Sequence, residues 1–277
     1  MEEVPVPTTT VEDPKILAIK KSVLDLQTMY TEDARQHSFN ALICGETGAG
    51  KTYLARTARF PVHIDSFDPG GTQGLRKEIA AKDIIVDSRY ENEDPLAPNA
   101  YRLWKANFLQ RVRDGYFNHF GTYVLDSSSM WSVTIMNWIL AADKRPGTGP
   151  KWEKDFGPQK VEIKNMIAIM TSLPCDFLLM GHLKADKDEV TGKTTYRFMS
   201  VGDSSVTIPM AFSEIYVALA ESKGAVVERK LLTQKDSFYL ARTRVGAGKF
   251  ERWEEPNIKA MLKKAGFPCE DKPNIFK

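Results

Sequence analysis

Residues 45–52 read Gly45-Glu46-Thr47-Gly48-Ala49-Gly50-Lys51-Thr52, and they stand between an apolar run at 40–44 and an amphipathic stretch at 51–59. The pattern GxxxxGK[ST] in a strand-to-helix context is the strongest constraint in the chain. Its glycines let the main chain curl until successive N–H groups face one concavity, and the helix that follows turns its positive end to the same point. A polyanion of the triphosphate type is the natural occupant. Gly45, Glu46, Thr47, Gly48, Ala49 and Gly50 form the cradle, Lys51 reaches the β- and γ-phosphates, and the Thr52 hydroxyl is placed to hold Mg²⁺. Such a loop needs a strand before it, a helix after it and further strands beside it, which commits the chain to an α/β fold.

The rest of the 277 residues agrees with that class. Short apolar runs at 40–44, 62–65, 83–86, 123–126, 176–180 and 215–220 alternate with helical periodicity at 51–59, 100–115, 130–143, 161–173 and 257–265. This is the pattern of a mainly parallel sheet flanked by helices. Two later runs, 226–233 and 237–243, alternate apolar and polar residues around Gln234-Lys235-Asp236 and predict an antiparallel C-terminal hairpin. Residues 1–14, rich in Pro, Thr and acids, are expected as a flexible tail. Residues 15–37 carry apolar residues at helical spacing and predict a helix that packs on the main domain or on a neighbouring subunit. The core is expected over 38–255, with a C-terminal helix and tail over 256–277.

Charge narrows the partners. The chain has 38 basic and 36 acidic residues, a net charge of +2, so no chain-wide field draws it to nucleic acid or anionic lipid, and any such partner needs a local patch. Cys44, Cys175 and Cys269 lie far apart, which argues against a disulfide framework or a zinc site and for a reducing compartment. No apolar run is long enough to cross a bilayer and the start Met1-Glu2-Glu3 is unlike a signal peptide, so a cytoplasmic protein with no membrane partner is expected.

A phosphate loop needs a second carboxylate to hold the metal, at the tip of a neighbouring buried strand. Asp126 ends the apolar run Tyr123-Val124-Leu125 and precedes Ser127-Ser128-Ser129, which suits that position; it also suits the N-cap of the next helix. Hydrolysis needs a group that orients or deprotonates water. His63-Ile64-Asp65-Ser66-Phe67-Asp68-Pro69-Gly70-Gly71 sets two carboxylates past a strand tip, and Asp68 is the preferred base because Asp65, closer to the strand, is expected to be tied into the backbone. Plain turn formation by Asp-Pro-Gly-Gly is the alternative. His182, after the run at 176–180, is placed to sense the γ-phosphate.

Together the phosphate loop, the very short helix after it, Ile-Asp-x-x-Asp-Pro-Gly-Gly, Val-Leu-Asp-Ser-Ser-Ser and a strand ending Gly181-His182 resemble the phage-encoded ATPases of the RecA-like group, some of them linked to single-strand annealing and recombination. The resemblance spans roughly residues 39–248 and departs from RecA at Phe67, where a Glu is usual, and at His182, where Gln is common. It implies a RecA-like P-loop NTPase core, ATP and Mg²⁺ as cofactors, and a homo-oligomer, ring or filament, with nucleotide at subunit interfaces. It further implies that Arg242 and Arg244, in Leu240-Ala241-Arg242-Thr243-Arg244-Val245-Gly246, reach the triphosphate of the next subunit from one face of a strand. In RecA-like proteins two loops line the DNA channel. The matching segments are 144–160, with Lys144, Arg145, Lys151 and Lys154 around Trp152, and 184–206, with Lys184, Lys187, Lys193 and Arg197 offset by acids. Single-stranded DNA, and with it a single-strand DNA-binding protein, are the implied partners.

Other phosphate-loop activities fit less well. Leu183-Lys184-Ala185-Asp186 lacks the Asn with which a GTPase reads guanine, and no lid or acceptor site for a small-molecule kinase is evident. A helicase, loader or packaging motor shares the same chemistry. An assembly module that uses ATP only as glue between subunits is the non-catalytic alternative.

Overall fold

The computed structural model describes residues 13–33, 38–189, 192–200, 204–224 and 226–277. Strands β1 (Asn40–Gly45), β2 (Val62–Ser66), β3 (Ile84–Asp87), β4 (Thr122–Asp126), β5 (Asp176–Gly181) and β8 (Glu214–Lys223) lie parallel in the order β3-β2-β4-β5-β1-β8. Then β9 (Val226–Leu232) and the short β10 (Trp253–Glu254) continue the sheet antiparallel. Two more strands, β6 (Leu183–Lys187) and β7 (Thr194–Phe198), form a separate antiparallel ribbon. The expected sheet is present, and β5 lies between the phosphate-loop strand β1 and the Asp126 strand β4. This is an α/β fold, a mainly parallel sheet flanked by helices and extended by antiparallel C-terminal strands.

The central strands read as unbroken apolar runs because both of their faces are covered. Leu42, Tyr123, Leu125, Phe177 and Leu179 face α3 (Ala100–Arg113), α4 (Ser128–Ala142) and α5 (Trp152–Met170), where Trp104, Phe108, Trp131, Ile135, Ile163 and Ile167 close that side. Their sequence neighbours Ala41, Ile43, Val124, Leu178 and Met180 face the other way, onto Leu54 and Ala55 of the 3-10 turn Thr52–Thr57 and onto Met261 and Leu262 of α7 (Ile258–Ala265). Each buried Leu, Ile, Val, Phe or Met among them contributes about 1.5–3 kcal/mol. Two short helices, α2 (Arg76–Ala80) and α6 (Ser204–Met210), complete the chain order with α1 (Pro14–Glu32).

The structure differs from the sequence expectation in several places. The segment after the phosphate loop is a 3-10 turn over Thr52–Thr57, not a helix over 51–59; Pro61 disfavours helical geometry in the residue before it. The antiparallel hairpin is β8–β9, not 226–233 with 237–243. Residues 237–243 form only isolated bridges, Tyr239 with Tyr196 and Arg242 with Ile215. Arg242 and Arg244 therefore do not share the face of a ladder strand. Residues 152–160, expected within a loop, begin α5, where the Asp155 carboxylate accepts from Lys151 N (2.6 Å) and fixes the first turn. Residues 184–206 are largely the β6–β7 ribbon and the start of α6 rather than a loop. The C-terminal helix belongs to the core: α7 is capped by Asn257, ends on left-handed Gly266 and donates Ile258 N to Thr57 Oγ1 at 3.0 Å.

The N-terminal helix is present as α1, but none of its residues is buried, and Leu24, Leu26 and Met29 are 61–69% exposed. The expected tail and the end of the expected 15–37 element fall on residues 1–12 and 34–37, outside the described residues.

Asp65 is tied to side chains rather than to the backbone. Its carboxylate accepts from Trp104 Nε1 and Tyr123 OH, both at 2.8 Å, and pairs with His63 Nε2 (2.9 Å) and Arg111 Nη1 (3.0 Å). Burial alone would raise its pKa, but His63, Arg111 and the Tyr123 hydroxyl hold it below the usual carboxylate range. Arg111 also reaches Asp87 at 2.6 Å, so the network pins α3 to β2 and β3. Asp65→Ala leaves the Arg111 charge half-unpaired and two buried donors without an acceptor. It is expected to lower the unfolding free energy by about 3–5 kcal/mol, read from the urea midpoint. An unchanged midpoint refutes the network's structural role.

Candidate functional site

All the parallel strands present their C-terminal ends to one edge, and there the phosphate loop leaves β1. Gly45 must be glycine because β8 runs alongside: a Cβ there would lie 2.7 Å from the Ala218 carbonyl oxygen. Gly48 and Gly50 take left-handed φ values of +83° and +91°, which curl the loop. Lys51 is 8% exposed, and its ammonium donates to Gly45 O (3.0 Å) and Glu46 O (2.9 Å). Burial lowers its pKa, while the carboxylates of Asp126 and Asp68 act in the opposite direction.

Beside it the Thr52 hydroxyl donates to Asp126 Oδ2. Ser127, not Asp126, caps α4, which leaves the Asp126 carboxylate to the cleft. Asp126 is 2% exposed, and burial pushes its pKa up to about 6; the negative charges of Asp68 and Glu91 add to the rise, and the Thr52 hydrogen bond and Lys51 oppose it. A hydroxyl and a carboxylate in contact form an oxygen donor set that fits Mg²⁺. Asp68 accepts a 2.8 Å hydrogen bond from Ser127 Oγ, which orients it over the same cleft. His182 Nδ1 lies 3.1 Å from Ser129 Oγ, and its pKa is lowered by burial and then by the Lys51 charge, which favours the neutral ring.

Thr47, Gly48, Gly50, Lys51, Thr52, Asp68, Asp126 and His182 thus line a single cleft of about 460 Å³. The sequence pointed to all eight. It did not point to three others. Arg229 of β9 lines the cleft; the expected pairing of its strand with 237–243 hides the direction it faces. Glu91 accepts from Gly70 N at 3.1 Å and adds negative charge near Asp126. Tyr53, just past the loop, stands 52% exposed at the rim.

The remaining expected site residues lie elsewhere. Arg242 donates from Nη2 to Pro209 O (3.0 Å) and Phe212 O (2.6 Å) of its own chain, whereas the Arg244 side chain is exposed. Arg145 is clamped between Asp143 and Asp155, both at 2.6 Å, and Lys154 joins Asp143 at 2.6 Å. Arg197 pairs with Asp186 at 3.1 Å. Lys144, Lys151, Lys184 and Lys193 are exposed, and Trp152 is 71% exposed over Phe156. A second cavity, about 420 Å³ and largely apolar, lies beneath the β6–β7 ribbon against Cys44. Burial pushes that thiol up to about 12, which leaves it inert.

Residues 38–245 match the model of the AAA domain family. The chain belongs to that family. As an AAA-domain protein with this phosphate loop it carries the fold of a nucleotide-binding ATPase. Among solved structures it is similar to the flagellar accessory protein FlaH from Methanocaldococcus jannaschii, at 11% identity and a TM-score of 0.42, covering 78% of this chain and 84% of that one. A KaiC-like protein from Pyrococcus horikoshii OT3 gives 11%, 0.42, 74% and 82% in the same terms, and the RadB recombinase 14%, 0.40, 74% and 81%. No curated protein matches the sequence. No described helix is long and apolar enough to cross a membrane.

The Asp126 shift has a sign that can be measured. Its folded pKa of about 6 stands above the ordinary 3.8, so folding favours the protonated acid and stability is lost as pH rises between those values. Near neutral pH the metal-free protein carries the whole penalty. Asp126→Asn is expected to raise the melting temperature of the metal-free protein at neutral pH, with little gain in acid, and to remove the Mg²⁺ dependence of nucleotide binding. An equal or lower melting temperature at neutral pH contradicts the assignment.

Proposed function

We propose that this protein is a Mg²⁺-dependent ATPase that acts on single-stranded DNA in recombination, annealing or replication, of the kind carried by phages, with nucleotide bound where subunits meet. The observation that carries the reading is the convergence of Lys51, Thr52, Asp126, Asp68 and His182 on one cleft. Lys51 holds two loop carbonyls that a phosphate oxygen can replace, so the bound anion takes over contacts the ammonium already makes. Thr52 and Asp126 hold the metal, which offsets phosphate charge when bound. Asp68, oriented by Ser127, takes the proton of the attacking water, and neutral His182 donates a hydrogen bond to the γ-phosphate.

The path from nucleotide to DNA runs through His182. The ribbon β6–β7 starts at the next residue, Met199 N donates to His182 O at 2.9 Å, and a Cβ on Gly181 would lie 2.5 Å from the Phe198 ring. A shift of His182 toward a phosphate therefore moves the ribbon that carries Lys184, Lys193 and Arg197. Exposed Trp152 with Lys144 and Lys151 offers stacking and phosphate contact on the neighbouring segment. Arg244, exposed, is the better placed of the two late arginines to meet a neighbour's triphosphate, and Arg242 braces α6 against that segment.

The assembly-module reading has one observation in its favour, the unburied apolar side chains of α1, which a second subunit would cover. Steady-state ATP turnover with and without oligo-dT separates the two. Turnover stimulated by the oligonucleotide, absent in Lys51→Ala, supports the ATPase; ATP-dependent oligomers without turnover support the module. Asp68→Asn is expected to lower kcat by about 100- to 10,000-fold with KM nearly unchanged. A kcat within twofold of wild type removes Asp68 from the role of base.

A further inference from the structure

The hairpin β8–β9 reaches beyond the strand it flanks. The pairing of β8 with β1 ends at Gly45 opposite Ala218, yet β8 continues to Lys223 and β9 returns from Val226. At about 3.3 Å per residue the hairpin projects well past the sheet edge, beside the phosphate loop. Its pleat sets the direction of each side chain. Leu231 is fully buried in the cluster that contains Ala49 and Leu54, the flanks of the loop, so the face of β9 that carries Leu231 points to the loop. Arg229, two residues earlier, shares that face.

The approach is close. A Cβ on Gly50 would lie 2.9 Å from Arg229 Cδ and 3.0 Å from Arg229 Nε. The Arg229 side chain makes no hydrogen bond or ion pair among the described residues, whereas its strand neighbours Glu228 and Lys230 pair with each other at 2.9 Å. A guanidinium without a counter-charge thus lies over a loop whose N–H groups face an anion. Asp68 and Asp126, the acids of the same cleft, are engaged by Ser127 and Thr52.

We infer that Arg229 is a cis ligand for the nucleotide, donating to the α- and β-phosphates from within the same chain that supplies the phosphate loop. The location follows from Gly50, which belongs to the part of such a loop that cradles those two phosphates, while Lys51 reaches outward to the β- and γ-phosphates. Planar and multiply donating, a guanidinium suits two phosphate oxygens at once. This rests on the phosphate-site reading above and deepens it: a cation for the diphosphate part of the ligand comes in cis, whatever a neighbour adds at the γ-phosphate. Nucleoside diphosphates and triphosphates are then held alike by Arg229.

The test is titration calorimetry of MgATP and of MgADP into the full-length wild type, Arg229→Ala, Arg229→Lys and Lys51→Ala. Arg229→Ala is expected to weaken both ligands about tenfold or more, the scale of a lost hydrogen bond to a charged group, and Arg229→Lys to fall between it and wild type. Its melting temperature without nucleotide is expected to match wild type, because the side chain has no partner to lose. Wild-type affinity for both nucleotides in Arg229→Ala overturns the inference and leaves the phosphate site standing. A loss confined to MgATP overturns the α,β placement. Recovery of tight binding in an equimolar mixture of Lys51→Ala and Arg229→Ala shows donation in trans and overturns the cis assignment. No binding by the wild type defeats the phosphate-site reading itself, and the inference with it.

Discussion

A buried ammonium and a buried carboxylate line one cleft at the ends of β1 and β4, and the rest of the architecture serves to hold them there. Neither Lys51 nor Asp126 is where an isolated charge is stable: burial lowers the pKa of one and raises that of the other. Each is kept by its counterpart and by short-range donors or acceptors, two carbonyls for Lys51 and the Thr52 hydroxyl for Asp126. The arrangement is tolerable only where parallel strands end together, since one sheet edge gathers these groups from segments far apart in sequence. Two aromatic and aliphatic layers, one on each face of the sheet, supply the rigidity that keeps that edge in register. A polyphosphate with its metal would supply a counter-charge to each of the two groups at once.

How much of this was legible in the sequence follows from how local each signal is. The phosphate loop, Asp126, Asp68 and His182 were legible because each follows an apolar run whose burial on both faces leaves no ambiguity about where the chain turns. The six parallel strands were legible for the same reason. The pairing of the segment 221–243 was not. Residues 237–243 alternate like a strand, but only isolated bridges hold them, and carboxylates take the amides at either end: Asp236 accepts from Phe238 N and Tyr239 N, and Glu214 accepts from Arg244 N and Val245 N just beyond. Nothing local distinguishes a backbone held by carboxylates from one held by a ladder. The outer end of β8 was equally hidden, because Glu221 and Ser222 are exposed polar residues that lack a strand's apolar alternation.

Electrostatic pairing also separates cations that composition alone lumps together. Arg145 and Lys154 fell in the basic stretch suited to phosphate contact, yet with Asp143 and Asp155 they form a closed set that joins the end of α4 to the start of α5. Their role in the fold is to shape the segment from which Trp152 projects. Ion pairs of this kind add little stability when exposed, but a clamp whose Asp155 is only 1% exposed fixes geometry. The cations left for a polyanion are the exposed Lys144 and Lys151, flanking the clamp, so any stacking platform at Trp152 is positioned by charges that themselves face inward.

One strand sets the positions of Arg229, Arg242 and Arg244. β8 is locked to the phosphate-loop strand in register, Ala41 opposite Glu214 through Gly45 opposite Ala218. At its start the fully buried Glu214 accepts from Thr243 Oγ1 and from the amides of Arg244 and Val245, which fixes the late arginine segment. At its far end it turns into β9 and delivers Arg229 over Gly50. A register slip of one residue would invert both placements, because successive side chains face opposite sides. The close contact of Gly45 with Ala218 opposes any such slip. Arg229 and the segment that carries Arg242 and Arg244 are therefore positioned by the same hydrogen-bonded ladder that positions the phosphate loop.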